Sequence, residues 1–134
     1  MPTVTSQHVC ARQTDDARRA VVEAIVRVLA QEVEHDWRDW ISDDEPQPKL
    51  YGERDADFGG AIGNQAEVDA AYTDLAREQA ATDTALAHHP DLGERLGKQG
   101  IAVRELMVHR IEEYARHCGH ADLLRECIDG RTGQ

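Results

Sequence analysis

The stretch VVEAIVRVLAQEVEHDWRDWI, residues 21–41, decides the fold. Val22, Ile25, Val26, Leu29, Val33, Trp37 and Trp40 recur at steps of three and four, the spacing that lines one face of a helix. Nothing in it alternates apolar and polar residues as a half-buried strand does. Upstream, Thr14 can cap a helix, and Asp15 and Asp16 fall in its first turn, where the helix dipole favours anions. One helix is therefore expected from residue 14 to about residue 41. An apolar stripe of that length has to be covered by other helices.

The neighbouring segments supply two such partners. Residues 42–64 hold two prolines and four glycines and read as a long loop, expected to be pinned to the core by Phe58 and Ile62. A second helix is expected over residues 65–87, with Val68, Tyr72, Leu75, Gln79, Thr82 and Leu86 as its seam. The run HHPDLGERLGKQG connects it to a third helix beginning near Ile101, whose His88 and His89 read as solvent-exposed. On that third helix Val103, Met107, Ile111, Tyr114 and Cys118 would share a face. Gly119 interrupts the pattern, Leu123, Leu124, Cys127 and Ile128 resume it, and Gly130 is placed to cap it.

The expected architecture is all-α: an up-down bundle over residues 14–130, between a polar tail at 1–13 and another at 131–134. It has three long helices. A fourth is reduced or supplied by a second subunit, which makes a homodimer the expected assembly.

The chain has 134 residues, enough for one domain, and a formal net charge of −11 with aromatics at only 4%. The acidic balance disfavours nucleic acid and anionic membranes as partners. The three cysteines, Cys10, Cys118 and Cys127, are odd in number and lack CxxC spacing, so a disulfide framework is not expected. Cys118 and Cys127 read as small buried apolar groups. No apolar run is long enough to span a membrane, and the N-terminus has neither the basic nor the apolar region of a signal peptide. The expected compartment is the cytoplasm.

Chemistry concentrates in HRIEEYARHCGH, residues 109–120. At about 100° per residue, His109, Glu113, His117 and His120 share less than a quarter of the helix circumference. Glu113 and His117 lie nearest the apolar side. A carboxylate and an imidazole at i and i+4 point to one spot, the arrangement by which helices hold zinc, nickel, iron or manganese. The same spacing also suits a solvated face on which Glu112 and Glu113 pair with Arg110 and Arg116. A metal site needs a third ligand from another helix, and Glu32, His35 or Asp36 on the first helix could supply it. Of these, Glu32 and Asp36 border the apolar stripe and His35 points further toward solvent.

The segment VRELMVHRIEEYARHCGHADLLRECIDGRTG resembles the last helix of the DinB/YfiT-like superfamily, in particular its mycothiol-dependent S-transferase branch. The register runs through His109, Glu113, His117, then Gly119 to Glu126, and Ile128 to Gly130. LAQEVEHDWRDWI and AAYTDLAREQAATD are similar to earlier helices of that group. The resemblance implies a divalent metal, zinc or nickel, held by Glu113, His117 and a histidine of the family's second helix. It implies a low-molecular-weight thiol as co-substrate, transferred to a small electrophile as a metal-activated thiolate. In this chain the second-helix histidine aligns onto Val28 or Leu29, and neither can bind metal. His35, with Glu32 or Asp36 as substitutes, is the expected replacement. The alternative expectation is a degenerate, non-catalytic bundle that serves dimerisation or protein interaction.

Overall fold

In the computed structural model the backbone is described for residues 6–52 and 56–132, and side chains for 13–52 and 56–132. Helix α1 (Ser6–Val28), a π-helical segment (Leu29–His35) and α2 (Asp36–Ile41) follow one another without a break and form one rod. After the long loop, which contains the short α3 (Ala56–Gly59), come α4 (Gln65–Ala87), a two-stranded antiparallel hairpin, β1 (Arg95–Leu96) with β2 (Ile101–Ala102), and α5 (Val103–Asp129). The class is an all-α bundle of three long helical elements.

The rod is the centre. Ile25, Val26, Leu29, Ala30 and Val33 form the core with Ala71 and Leu75 of α4, and Tyr114, Ala121 and Leu124 of α5 close over it. A second cluster joins Leu96, Val103 and Leu106 to Trp37, Ile41 and Leu86. The helix order is up, up, down. Arg38 reaches Thr82 at one end of the pair while Glu23 meets Gly63 at the other, so α4 runs parallel to the rod. Arg110 meets Glu34 and Asp129 meets Arg18, so α5 runs antiparallel. The long loop is the crossover that makes this order possible.

Several expectations are corrected. The rod starts at Ser6, not at residue 14, so it takes in most of the expected tail. The acidic pair that looked like a first turn lies mid-helix, where Asp15 pairs with Arg18 and Asp16 with Arg19. Phe58 and Ile62 do not pin the loop; they are 49% and 68% exposed. Polar groups of the rod hold it instead. Glu23 accepts the amides of Ile62 and Gly63 at 2.9 and 2.8 Å. Arg27 donates to the carbonyls of Ala56 and Gly60 and lies over the Tyr51 ring. Gln31 accepts the Leu50 amide at 2.6 Å.

The buried face of α4 is Val68, Ala71, Leu75, Glu78 and Thr82, and Tyr72 is exposed. On α5, Met107 and Ile111 are exposed, as are Cys118 and Cys127. The side chain of Cys10 lies outside the described residues. The inward face of α5 carries Leu106, Arg110, Tyr114 and His117 instead of an unbroken apolar row. The interior is partly polar, and a search for apolar periodicity misplaces faces that are built from charges. His89 is half-buried against Glu94, its Nδ1 2.9 Å from Oε1.

Two glycines differ sharply in what they do. A Cβ at Gly97, which has φ +70°, would come within 2.0 Å of the Trp40 carbonyl, because the hairpin turn presses on the end of α2. Gly119 continues α5 without interruption, and an added Cβ there meets nothing within 4 Å. Gly119→Ala should therefore stabilise the protein by roughly 1 kcal/mol. Gly97→Ala should destabilise it by about 2 kcal/mol or more, from the positive φ together with the backbone clash. Urea unfolding of both variants checks the opposite signs.

Candidate functional site

The i, i+4 ladder on α5 brings its side chains together. His117 Nε2 lies 3.4 Å from Glu113 Oε2. His109 Nε2 lies 3.5 Å from Glu113 Oε1, which also receives Arg116 at 3.1 Å. The His117 and His120 rings meet edge-on at 5.3 Å, and His109 leans on Trp37 with ring centroids 4.2 Å apart. Glu113 and His117 are the sheltered members, with side chains 14% and 12% exposed. Burial lowers the His117 pKa below its ordinary value, against the Glu113 carboxylate, which raises it. A neutral imidazole keeps a lone pair to offer a cation.

His117 and His120 open on a cleft of about 440 Å³. Its other walls are Ile25 and Val28 of α1, Glu32 of the π segment, Asp57 and Phe58 of α3, and Leu123 and Leu124 of α5. Val28 is on this cleft, and Leu29 belongs to the core. The cleft therefore has imidazole and carboxylate groups on an otherwise apolar wall.

The first-helix candidates separate. Glu32 is exposed and shares the cleft with His117. His35 does not point to solvent; it is 6% exposed. It faces Gln31 and Asp36, with Nδ1 3.3 Å from Gln31 Nε2 and 3.2 Å from Asp36 Oδ1. Asp36 is itself held by Lys49 at 2.7 Å and by Gln31. His35, Asp36 and Asp39 place one ligand atom each within 4.8 Å of one another, the one such group of three among the described residues. The Lys49 ammonium already pairs with Asp36 Oδ1. The structure thus gathers Glu113 with His117, and His35 with Asp36, but does not bring His35 to Glu113 and His117.

The reason is the π segment. The Asp36 amide donates to the Gln31 carbonyl, five residues back. Wide turns advance each residue by less than the 100° of an α-helix, so the faces beyond Val28 lag by about one residue. Glu34 is buried beside Val33, and Ile41 packs inward beside Trp37, while Trp40, which a regular wheel places inward, is 48% exposed. The Glu34 carbonyl accepts Arg38 Nη1 at 3.3 Å, and Arg38 also donates to the Glu78 carbonyl and carboxylate. π-turns of this kind often stand at functional sites.

Sequence reasoning missed Glu34 and Asp57. Glu34 is fully buried, and its Oε1 accepts Arg110 Nε at 2.8 Å and the Tyr114 hydroxyl at 2.7 Å. Burial and that hydrogen bond push the Tyr114 pKa up. A glutamate one residue from the apolar stripe gave no signal while the helix was taken as regular. Asp57 sits in the loop expected to be anchored by Phe58, and no periodicity marks it.

A family model described as Mycothiol-S-transferase matches residues 4–130. Neither the curated proteins nor the solved structures yield a match.

Proposed function

The chain belongs to the mycothiol S-transferase family, and on that premise we propose that it is a metal-dependent transferase joining a low-molecular-weight thiol to a small electrophile in the cleft beside His117. The observation that carries this reading is the sheltered Glu113–His117 pair, 3.4 Å apart, with His117 facing the cleft. One carboxylate oxygen and one imidazole nitrogen suit zinc or nickel. Glu113 and His117 would hold such an ion, which when bound would supply Lewis acidity that lowers the thiol pKa.

The chain's own residues do the rest. Glu113 meets the His117 ring with Oε2, and the contacts of His109 and Arg116 to Oε1 fix the carboxylate in place. Ile25, Val28, Leu123 and Leu124 exclude water from one side of the cleft and give an apolar electrophile a surface to rest on. The thiolate sulfur attacks the electrophilic carbon, a carbon–sulfur bond forms, and the leaving group departs with its electron pair. The thiol proton is lost to solvent before attack. The third protein ligand expected at His35 is better sought on the cleft wall, where Glu32 and Asp57 stand. The test is conjugation of a small thiol to a chromogenic alkylating electrophile, followed with and without a chelator. Loss of the catalysed rate on chelation, and its return with zinc or nickel, supports the reading; a chelator-insensitive rate contradicts it.

The cytoplasm is the compartment this reading implies. Among the described residues no helix is long and apolar enough to cross a membrane.

A second reading, a homodimer serving interaction more than catalysis, is favoured by one observation. Between α4 and α5 a groove of about 400 Å³ is lined by Gln79, Met107, Arg110, Ile111 and Tyr114, and Ile111 is 69% exposed. That is the corner a fourth helix fills in a four-helix bundle. Covered by a second copy, the protein should run at twice its 15.0 kDa in solution, and Ile111→Asp should return it to the monomer mass. A monomer at micromolar concentration contradicts the dimer and leaves the catalytic reading intact.

A further inference from the structure

His35, Asp36 and Asp39 bring an imidazole and two carboxylates together where the π segment runs into α2, with one ligand atom from each within 4.8 Å of the others. His35 and Asp39 lie one helical turn apart, the spacing at which side chains share a face. The imidazole is held at the back. His35 is 6% exposed, and its hydrogen-bond contacts to Gln31 and Asp36 are both made at Nδ1. Nε2 therefore has no hydrogen-bond partner among the described residues, and a nitrogen on a buried ring is rarely left so. The carboxylates stand nearer the surface, with Asp36 26% exposed. Oδ1 of Asp36 accepts Gln31 and Lys49, and Oδ1 of Asp39 accepts the Gln47 amide. Oδ2 of each has no hydrogen-bond partner among the described residues. Apart from the ring itself, the cationic partner of the group there is Lys49, whose Nζ lies 2.7 Å from Asp36 Oδ1 on a side chain that is 55% exposed. Such an exposed pair is weak.

We propose that His35, Asp36 and Asp39 form a second divalent-cation site, for an ion of the zinc or cobalt class, whose binding displaces the Lys49 ammonium. One imidazole and two carboxylates suit such an ion, with water completing its shell. Two carboxylates against one lysine leave the group negative, which favours an incoming cation. Lys49 is a built-in competitor. Its neighbours Gln47 and Leu50 are tied by their amides to Asp39 and Gln31, so the ammonium is kept beside the site. A site that is partly open and contested by a lysine exchanges its ion with solution and empties on dialysis. It is separate from the pair on α5, and the proposal does not rest on the transferase reading.

The test is a titration with cobalt(II) alone of dialysed, tag-free protein carrying Glu113→Ala and His117→Ala, so that the α5 pair contributes nothing. If that double variant does not fold, parent protein loaded with zinc and then dialysed takes its place. Binding is read by competition with a chromophoric chelator and by quenching of Trp37 and Trp40, which flank Asp36 and Asp39 in the sequence. About one equivalent should bind. Adding His35→Ala should weaken binding about tenfold or more, because even groups that only orient a ligand are worth that much. Asp39→Asn keeps Oδ1 for the Gln47 amide and carries the same expectation should His35→Ala fail to fold. Lys49→Met should tighten binding about two- to fivefold, the worth of one exposed charge pair. Absence of binding, or affinities within twofold of the starting protein in His35→Ala and Asp39→Asn, overturns the proposal and leaves the transferase reading untouched. An affinity in Lys49→Met no tighter than that of the starting protein also overturns it. The rival account makes the group only a clamp that holds residues 47–50 to the rod. It predicts a lower melting temperature for Asp39→Asn with cobalt(II) affinity intact, and that result too contradicts the proposal.

Discussion

Arg110→Ala will destabilise the protein by about 3–5 kcal/mol, the loss expected when one member of a buried ion pair is removed. Glu34 is fully buried on the π segment, and Arg110 Nε, 2.8 Å away, is its one charged partner among the described residues. Burial alone would lower the Arg110 pKa, but its hydrogen bonds to Glu34 and Asp83 more than offset this and raise it. Without the guanidinium, Glu34 keeps only the Tyr114 hydroxyl on Oε1, and its Oε2 has no partner among the described residues. Tyr114→Phe removes one hydrogen bond to a charged acceptor and should cost about 1.5–3 kcal/mol. Replacing both partners by apolar residues, Glu34→Leu with Arg110→Met, should recover most of the loss, because no charge is then left buried. Urea unfolding with an unchanged m-value separates these outcomes from a change in the unfolded state. A cost below about 1 kcal/mol for Arg110→Ala would show that Glu34 finds another partner or sits protonated.

The second large effect concerns chemistry. His117→Ala and Glu113→Ala should each lower kcat/KM for thiol transfer by about a hundredfold or more, since even residues that only orient a metal ligand are worth 10- to 100-fold. That is about 2.7 kcal/mol of transition-state stabilisation. Both residues are sheltered, but their mutual contact is a single i, i+4 pair, so the fold should tolerate either change. His109→Ala is the control. Of the two ligands it touches only Glu113, at 3.5 Å, and it leans on Trp37, so it should cost about tenfold, well short of the loss at Glu113 or His117. Equal losses at His109 and His117 would mean that the whole polar ladder acts structurally.

The parts of this molecule that follow regular helical periodicity were legible from the residues. The span Gln65–Ala87 follows from its periodic steps, and the structure adds an Asn64 cap whose side chain accepts the Glu67 amide. Gly130 closes α5 in the left-handed region, as a glycine in that place does. The contact of Glu113 with His117 follows from one turn of helix. Three things were hidden. Asp15 and Asp16 imitate a helix start because the same acids that complement a dipole also pair with arginines three residues on. The π segment shifts every downstream face by about one residue, which turned His35 inward and away from the cleft. The interior uses Glu23, Glu34, Glu78 and Thr82 at positions where a search for apolar residues sees only solvent. These polar groups hold the long loop and α5 against the rod, and they leave the cleft with charged groups on an apolar wall.

The proposed function requires that Glu113 and His117 hold a divalent metal. Elemental analysis of protein purified without a histidine tag tests it most directly. Close to one equivalent of zinc or nickel per chain is expected, falling to background in Glu113→Ala and His117→Ala. Less than about a tenth of an equivalent, unchanged by either substitution and not restored by added metal, would contradict it.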